Sequence, residues 1–442
     1  MDRSTIDLPS RLLMNLEAWR NAKTWRVAFS GGLDSTVLLH LLVHLAKTTS
    51  LPELKAIHVH HGLQAAADAW PQQCQSVCDA MGVSLQVIRV HVQPGASLER
   101  AARDARYEAF NAATQAGDVL LTGQHRDDQA ETLLFRLLRG AGVRGLAGMP
   151  RQRSLGSGHL LRPLLDVTRA QLQTHATEHG LSWIEDPSNE DCRFSRNYLR
   201  HQVFPALTER WPQANANMAR SAAHLREAQG LLDELAHIDL AAAQIASEFD
   251  WLGVPSLELA PLAALSAARQ RNALSHWLSP LTSLPDSDHW SGWEDLRDAT
   301  ADALPIWALA DGQLHRAGGR IWWLSGAWLR DPLASHEWLE PAKALTLPDN
   351  GVLTISGSVP NGPFQVRYRQ GGEVIYLPGR GHRDLKRLLN ESAVPAFVRG
   401  RLPLLCQGEQ LLAVANLRGL NGSGPHGWNL HWQPPSEDQG LS

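Results

Sequence analysis

Residues 25–40 read WRVAFSGGLDSTVLLH. The apolar run that ends at Phe29 has the texture of a buried strand, and the run after Ser35 has that of a helix. Between them Gly31 and Gly32 sit where the chain must reverse within a few residues. Glycines there keep side chains out of the way of a ligand, and a helix N-terminus offers unpaired amides and the positive end of its dipole. A generic Gly-Gly turn is the plain alternative. The strand before it, the helix after it and the whole hexapeptide Ser30, Gly31, Gly32, Leu33, Asp34, Ser35 favour a phosphate cradle. Serines 30 and 35 can hold phosphate oxygens, and Asp34 can hold magnesium or position a nucleotide. A Walker loop needs Gly-Lys, and no Gly-Lys pair occurs in the chain.

Working outward, ELKAIHVHH, LQVIRVHV and DVLLTGQH read as further strands. STVLLHLLVHLA, AADAWPQQCQSVCDAM, LERAARDARYEAFNAATQA and DDQAETLLFRLLRG read as helices. This alternation predicts an α/β fold, a doubly wound parallel sheet with helices on both faces and a ligand beyond the carboxyl ends of the strands. From about residue 212 the chain turns alanine- and leucine-rich and reads as mainly helical, with its tryptophans as core anchors. LEPAKALTLPDNGVLTISGSVPNG suggests short strands and a linker. The last part mixes strands with the basic helix HRDLKRLLNES, a small α+β domain. The expected organisation is a catalytic domain over residues 1–211, a helical middle domain over 212–345 and a C-terminal domain over 360–435.

The net charge of −4 argues against nonspecific coating of nucleic acid, so local patches must decide. Lysine occurs only at Lys23, Lys47, Lys55, Lys343 and Lys386; the remaining cations are arginines, whose planar fork suits phosphate. Cys74, Cys78, Cys192 and Cys406 spell out neither a zinc site nor a disulfide framework and read as reduced thiols. No long apolar run and no secretory start is present. The expectation is a soluble, cytoplasmic protein with no membrane contact.

In HRDDQAET, Asp127 can cap a helix, and His125, Asp128, Glu131 and Thr132 recur three to four residues apart on one face. An imidazole and two carboxylates at the mouth of the sheet can bind magnesium through Asp34 and Asp128, or take a proton from an attacking amine. Arg100, Arg103 and Arg106 form a partial stripe, of which Arg103 or Arg106 is the better phosphate contact. His58 and His60 share a strand face without a clear third ligand, which argues against zinc. Arg369, Arg380, Arg383, Lys386 and Arg387 form a basic stretch with few acids, suited to phosphates.

SGGLDS resembles the pyrophosphate loop of ATP pyrophosphatases, which cleave ATP between the α and β phosphates. GQHRDDQAETLLFRLLRGAGVRGL (123–146), WIEDPSNEDCRFSRNYLRHQVFP (183–205), AIHVHHGL (56–63), ERAARDARYEAF (99–110) and GHRDLKRLLNESAVPAFVRGRLPLL (381–405) narrow this to a resemblance to the tRNA(Ile)-lysidine synthase family. The resemblance implies ATP and Mg2+, with residues 30–35 holding the leaving pyrophosphate. It implies a tRNA(Ile) substrate with a CAU anticodon, L-lysine as second substrate, and adenylation of the wobble cytidine before lysine attacks. It places Arg196 and Asn197 in the wall of the active site, which gives Asp34, His125, Asp128, Glu131 and Arg196 as catalytic candidates. It also implies that the C-terminal domain grips the acceptor stem, through Arg380, Arg383, Lys386 and Arg387, while the first domain handles the anticodon. The sequence leaves a homodimer open. A tRNA thiolase is the nearest rival, but no Cys-x-x-Cys is present to carry sulfur or a cluster. A tRNA-binding protein with a degenerate nucleotide site is disfavoured by the intact motifs.

Overall fold

The computed structural model describes residues 7–62, 65–92, 98–284, 287–300, 303–332, 335–358, 362–422 and 427–435. They form two compact units, Met1–Gly230 and Leu231–Ser442. In the first, strands β1 (Thr24–Ala28), β2 (Glu53–His60), β3 (Ser84–Arg89), β4 (Asp118–Leu121), β5 (Gln152–Leu155) and β6 (Gly158–Leu161) make one sheet of order β3-β2-β1-β4-β6-β5. All neighbours are parallel except the β5–β6 hairpin at the edge. The helices are α1 (Leu8–Leu16), α2 (Leu33–Ala46), α3 (Trp70–Met81), α4 (Leu98–Ala113), α5 (Arg126–Leu137), α6 (Val143–Leu146), α7 (Arg169–Glu178), α8 (Ser195–Tyr198), α9 (Phe204–Arg210) and α10 (Ala214–Ala241), the last running across the division between the units.

Strand alternation sends Trp25, Val27, Val119 and Leu121 into one core with α1, α2, α3 and α7. It sends Ile57, Leu120 and Leu160 into a second core under Phe110 of α4. The sheet is therefore covered on both faces, as expected. The strand order reverses between β1 and β4, and that switch point is where such sheets open a crevice for ligands. The cysteines are free thiols. Burial pushes Cys74 up to about 12 and Cys78 up to about 11, so neither ionises near neutral pH.

The second unit begins with helices and a small sheet. Strands β7 (Ser256–Glu258), β8 (Ile306–Ala308), β9 (Gln313–Ala317) and β10 (Arg320–Leu324) pair antiparallel in the order β7-β10-β9-β8, beside α11 (Leu259–Ala263), α12 (Ala267–Leu278) and α13 (Ser291–Asp298). The helical texture of the sequence concealed this sheet. The reason lies in β10: Ile321 and Trp323 enter the core of the helices, while Trp322 and Leu324 enter the next core along the chain. A strand buried on both faces has no polar alternation to betray it.

The rest of the unit holds β11 (His336–Trp338), β12 (Leu345–Leu347), β13 (Gly351–Gly357), β14 (Phe364–Arg367), β15 (Val374–Leu377), β16 (Gly381–Asp384), α14 (Leu385–Glu391), α15 (Ala396–Arg399), β17 (Leu404–Gln407), β18 (Gln410–Val414) and β19 (Trp428–Gln433). They build a six-stranded sheet, β11-β14-β17-β18-β15-β16, and a three-stranded one, β12-β13-β19. One element differs from the sequence reading. HRD of HRDLKRLLNES is not helical: His382 and Arg383 pair with Tyr376 and Ile375 on edge strand β16, and the helix starts at Leu385 with Asp384 accepting from the Arg387 amide at 2.9 Å. Among the described residues, no helix is long and apolar enough to cross a membrane.

Candidate active site

The loop from β1 to α2 is held by backbone geometry. Gly31 has φ +82°, and a Cβ there would lie 2.5 Å from Ile184 Cδ1 and 2.9 Å from Cys74 Sγ, so only glycine fits. Its carbonyl accepts from the Ile184 amide at 2.8 Å and from Thr36 Oγ1 at 3.2 Å. Gly32 precedes the helix, and the first intrahelical bond runs from the Thr36 amide to the Gly32 carbonyl. The amides of Leu33 to Ser35 therefore belong to the open N-terminal turn, where an anion is favoured. Leu33 itself is buried in the core and contributes only backbone. Ser30 Oγ and Ser35 Oγ stand 3.1 Å apart, Ser30 accepts from the Gly32 amide, and Ser35 donates to the Gly32 carbonyl at 3.0 Å.

The loop from β4 to α5 closes on the same point. A Cβ on Gly123 would approach the Asp34 carbonyl carbon to 3.0 Å, so that glycine lets the two loops touch. His125 is fully buried; its Nε2 lies 3.6 Å from both Asp34 Oδ2 and Asp128 Oδ2, and its Nδ1 lies 3.6 Å from Asp127 Oδ2. Burial opposes charge on the ring, but Asp34, Asp128 and Asp127 outweigh it and raise the affinity of His125 for a proton. The cap differs from the sequence reading: the N-cap residue is His125, whose amide donates to Asp128 Oδ2 at 3.0 Å. Asp127 instead accepts from the Arg169 amide at 2.8 Å and from Asn215 Nδ2 at 2.6 Å. Burial alone would raise the Asp127 carboxyl, but these bonds hold it below its ordinary value.

The third wall comes from residues 183–203. Arg200 grips Glu131 with two hydrogen bonds, Nε to Oε1 at 2.7 Å and Nη2 to Oε2 at 2.9 Å, and reaches Asp128 Oδ1 at 3.3 Å. Burial disfavours its charge, yet the Glu131 contact, with Asp128 and Asp34 beyond, holds it more firmly protonated than usual. Arg196 donates to Thr132 Oγ1 at 2.9 Å and has Nε 3.4 Å from Glu131 Oε2. The backbone of Leu199–Val203 is a π-helix, which turns Arg200 out of the phase a regular helix would give it. Asn197 donates to the carbonyls of Ser188 at 2.8 Å and Asp191 at 3.0 Å and so ties the loop down.

These walls enclose a cleft of about 530 Å3 lined by Ser30, Gly32, Asp34, Ser35, Asp128 and Arg196, and by His61, Arg103, Arg106 and Tyr107 opposite. The expected group of His125, Asp128 and Glu131 is thus divided. Asp128 faces the cleft, His125 lies beneath it, and Glu131, 4% exposed, is spent on the two arginines. Arg103 lies over the Tyr107 ring, 5.0 Å from its centroid. Arg106 donates to His61 Nε2 at 3.2–3.3 Å, and burial, with Arg106 beside it, pushes His61 down to about 4. His58 donates through Nδ1 to the Phe29 carbonyl at 2.9 Å, a structural bond from β2 to the start of the loop after β1. Among the described residues no three His, Cys, Asp or Glu side chains form a metal cage. In the second unit Arg380, Arg383 and Lys386 are exposed, whereas Arg387 is paired with Glu391 at 2.9 Å. The sequence places Arg193, Arg196 and Arg200 on one helix, where surface ion pairing is the plain reading of Arg200, and it does not single out Arg169 or Asn215; the partners of Arg200, Arg169 and Asn215 are 42–88 residues away, and only the acids they serve were conspicuous.

Three family models match the chain: a PP-loop domain over residues 7–207, a TilS substrate binding domain over 257–322 and a TilS substrate C-terminal domain over 364–432. The chain is similar to tRNA(Ile)-lysidine synthases over full length. It is 72% identical to that of Pseudomonas fluorescens, with 100% of both chains covered. Identity is 63% with that of Pseudomonas syringae pv. tomato (99% of this chain, 98% of the relative) and 61% with that of Pseudomonas aeruginosa (99% of each).

Proposed function

Because this chain belongs to the tRNA(Ile)-lysidine synthase family, we propose that it is an ATP-dependent ligase that joins lysine to position 2 of the wobble cytidine of tRNA(Ile) with a CAU anticodon. The observation that carries the reading is the meeting of an anion-binding helix N-terminus with Asp34 and Asp128 in one cleft at the switch point of the sheet. In the first step the cytidine carbonyl oxygen attacks the α phosphate of ATP and pyrophosphate leaves. The amides of Leu33 to Ser35 and the hydroxyls of Ser30 and Ser35 receive the growing negative charge of that leaving group. In the second step the lysine ε-amine attacks the adenylated ring carbon and AMP leaves with its oxygen.

A lysine amine, with a reference pKa of about 10.4, must lose a proton before it attacks. Asp34 and Asp128 face the cleft and are the acceptors we assign. His125, already inclined to hold a proton, positions both carboxylates from below. Glu131 acts through Arg196, which it holds against the cleft wall. Asp34 Oδ1 is buried with no hydrogen-bond partner among the described residues, and Mg2+ commonly takes one or two carboxylates together with phosphate oxygens, so Asp34, with Asp128, fits the ion. When bound, Mg2+ would neutralise charge on the transferring phosphates. Arg103 and Arg106 would meet the anticodon loop, and Arg380, Arg383 and Lys386 the acceptor stem, in a cytoplasmic enzyme with residues 1–211, 212–345 and 360–435 as working parts.

The test is incubation of the purified protein with ATP, magnesium, radiolabelled lysine and unmodified tRNA(Ile) transcript, with methionine tRNA as control. Label is expected on tRNA(Ile) alone; absence of tRNA-linked lysine overturns the reading.

A further inference from the structure

The β15–β16 ribbon at the edge of the six-stranded sheet carries two rings that the proposed chemistry does not use. The strands pair antiparallel, with Tyr376 opposite His382 and Ile375 opposite Arg383. Alternation sends Ile375, 1% exposed, into the core and turns Tyr376, 53% exposed, to solvent. His382 is exposed as well, and the two rings meet in a T-shaped contact with centroids 5.3 Å apart. β16 is the last strand of its sheet, so among the described residues no further strand lies beside the pair.

A cross-strand aromatic pair steadies a hairpin, and that accounts for the contact between the rings. It does not account for their surroundings. Arg380, Arg383 and Lys386 stand exposed around the pair. The acids of the same stretch are turned elsewhere. Glu373 accepts from the amides of Gln370 and Gly371 and lies 3.7 Å from Arg369, Asp384 caps α14, and Glu391 holds Arg387. Cations attract phosphates, and a flat exposed ring offers a base a surface to stack on. The two together suit unpaired RNA, because a duplex hides the faces of its bases.

We propose that Tyr376, backed by His382, is a stacking platform for an unpaired nucleobase at the 3′ end of the RNA substrate, whose phosphates Arg380, Arg383 and Lys386 hold. The inference rests on the reading of this basic edge as the contact for the acceptor stem. A tRNA acceptor arm ends in unpaired 3′ nucleotides, and those are the bases of that arm with both faces open. The cations supply salt-dependent attraction, and the ring fixes where the strand end lies.

The test uses the full chain and a tRNA(Ile) transcript with 2-aminopurine in place of its 3′-terminal adenine, read by fluorescence, with filter binding over a range of salt. Binding should quench the probe with the parent and with Tyr376→Phe, which keeps the ring, and leave it unchanged with Tyr376→Ser. Tyr376→Ser should weaken binding by about fivefold, the low end for one stacked base, and leave the salt slope as it is, since a ring displaces no counterion. A transcript trimmed of its unpaired 3′ nucleotides should be bound alike by the parent and Tyr376→Ser. The proposal is overturned by an unquenched probe on the parent, by equal binding of the full transcript to the parent and the serine variant, by a serine defect that persists on the trimmed transcript, or by a changed salt slope. None of these readouts needs lysine transfer. A chain that stacks the probe through Tyr376 but transfers no lysine would lose the ligase reading and keep the platform; one that transfers lysine and binds the full transcript equally well without the ring would lose only the platform.

Discussion

Arginine serves the cleft and the edge strand β16 in opposite ways. Arg200 is 28% exposed, locked by two hydrogen bonds to a carboxylate that is itself 5% exposed. Arg380 and Arg383, near and on β16, are exposed to solvent. A buried charge cannot lose its partner cheaply, whereas an exposed one contributes a small, salt-screened attraction. The first kind fixes geometry for chemistry; the second adds affinity in increments. Substitutions in the two places should therefore fail differently.

The largest effect is expected at the cleft itself. Asp34→Ala should lower lysine incorporation by about 10³-fold or more, because it removes a carboxylate from the point where charge develops. Retention of the tRNA on a filter should stay within about twofold of the parent, since Asp34 makes no part of either cationic surface. Loss of tRNA binding together with activity would mean that the loop is only structural. Next comes Arg200→Ala, which leaves Glu131 buried with Arg196 alone. The cost in chemical denaturation should be about 3 kcal/mol, toward the low end for a buried charge deprived of its main partner. Arg200→Met combined with Glu131→Leu should recover much of that stability while activity stays low. A double variant no more stable than the single one would break the contrast drawn here.

Gly31→Ala should follow, at about 1–3 kcal/mol, because φ +82° and the Ile184 contact oppose any Cβ. Pairing it with Ile184→Ala relieves the Ile184 contact and leaves the backbone strain and the Cys74 Sγ contact at 2.9 Å, so the difference between the two measurements isolates what Ile184 contributes. The pH dependence of His61 comes below this. Its folded value of about 4 lies under the ordinary 6.5, so the neutral ring is favoured by folding. That stability is complete above pH 6.5 and is lost as pH falls from 6.5 toward 4, where the unfolded chain binds the proton and the native one does not. After solvent screening the loss should be about 1 kcal/mol. His61→Gln keeps an acceptor for Arg106 and should flatten that part of the profile; an unchanged profile would assign it to other histidines.

The same contrast explains what could be read in advance. SGGLDS was legible because strand, glycine turn and helix follow one another within sixteen residues, and the local backbone needs those residue types. Arg200 was not, since its identity as a partner of Glu131 depends on a π-turn and on a contact 69 residues away. Glu131 looked like a reactive acid for the same reason: helical spacing puts it beside Asp128, but only packing shows that it is buried and already paired. The basic run at 381–387 read as one helix because charged residues hide period-2 alternation, and an edge strand with both faces wet has little of it. β10 escaped for the opposite reason, being apolar on both faces.

The smallest effects belong to the edge strand, and they test the comparison most sharply. Arg380→Gln, Arg383→Gln and Lys386→Gln should each weaken tRNA binding by about two- to fivefold at moderate salt, with no measurable change in unfolding. Each should also reduce the slope of log affinity against log salt by about 1, because one counterion fewer is released. Arg387→Gln should do less, since its guanidinium is already committed to Glu391 at 2.9 Å. The effects should add, as distant surface cations act independently. If the triple variant instead lost binding far beyond the product of its parts, these cations would be acting as a fixed constellation like the one around Glu131, and the division between geometry-setting and affinity-adding arginines would fall.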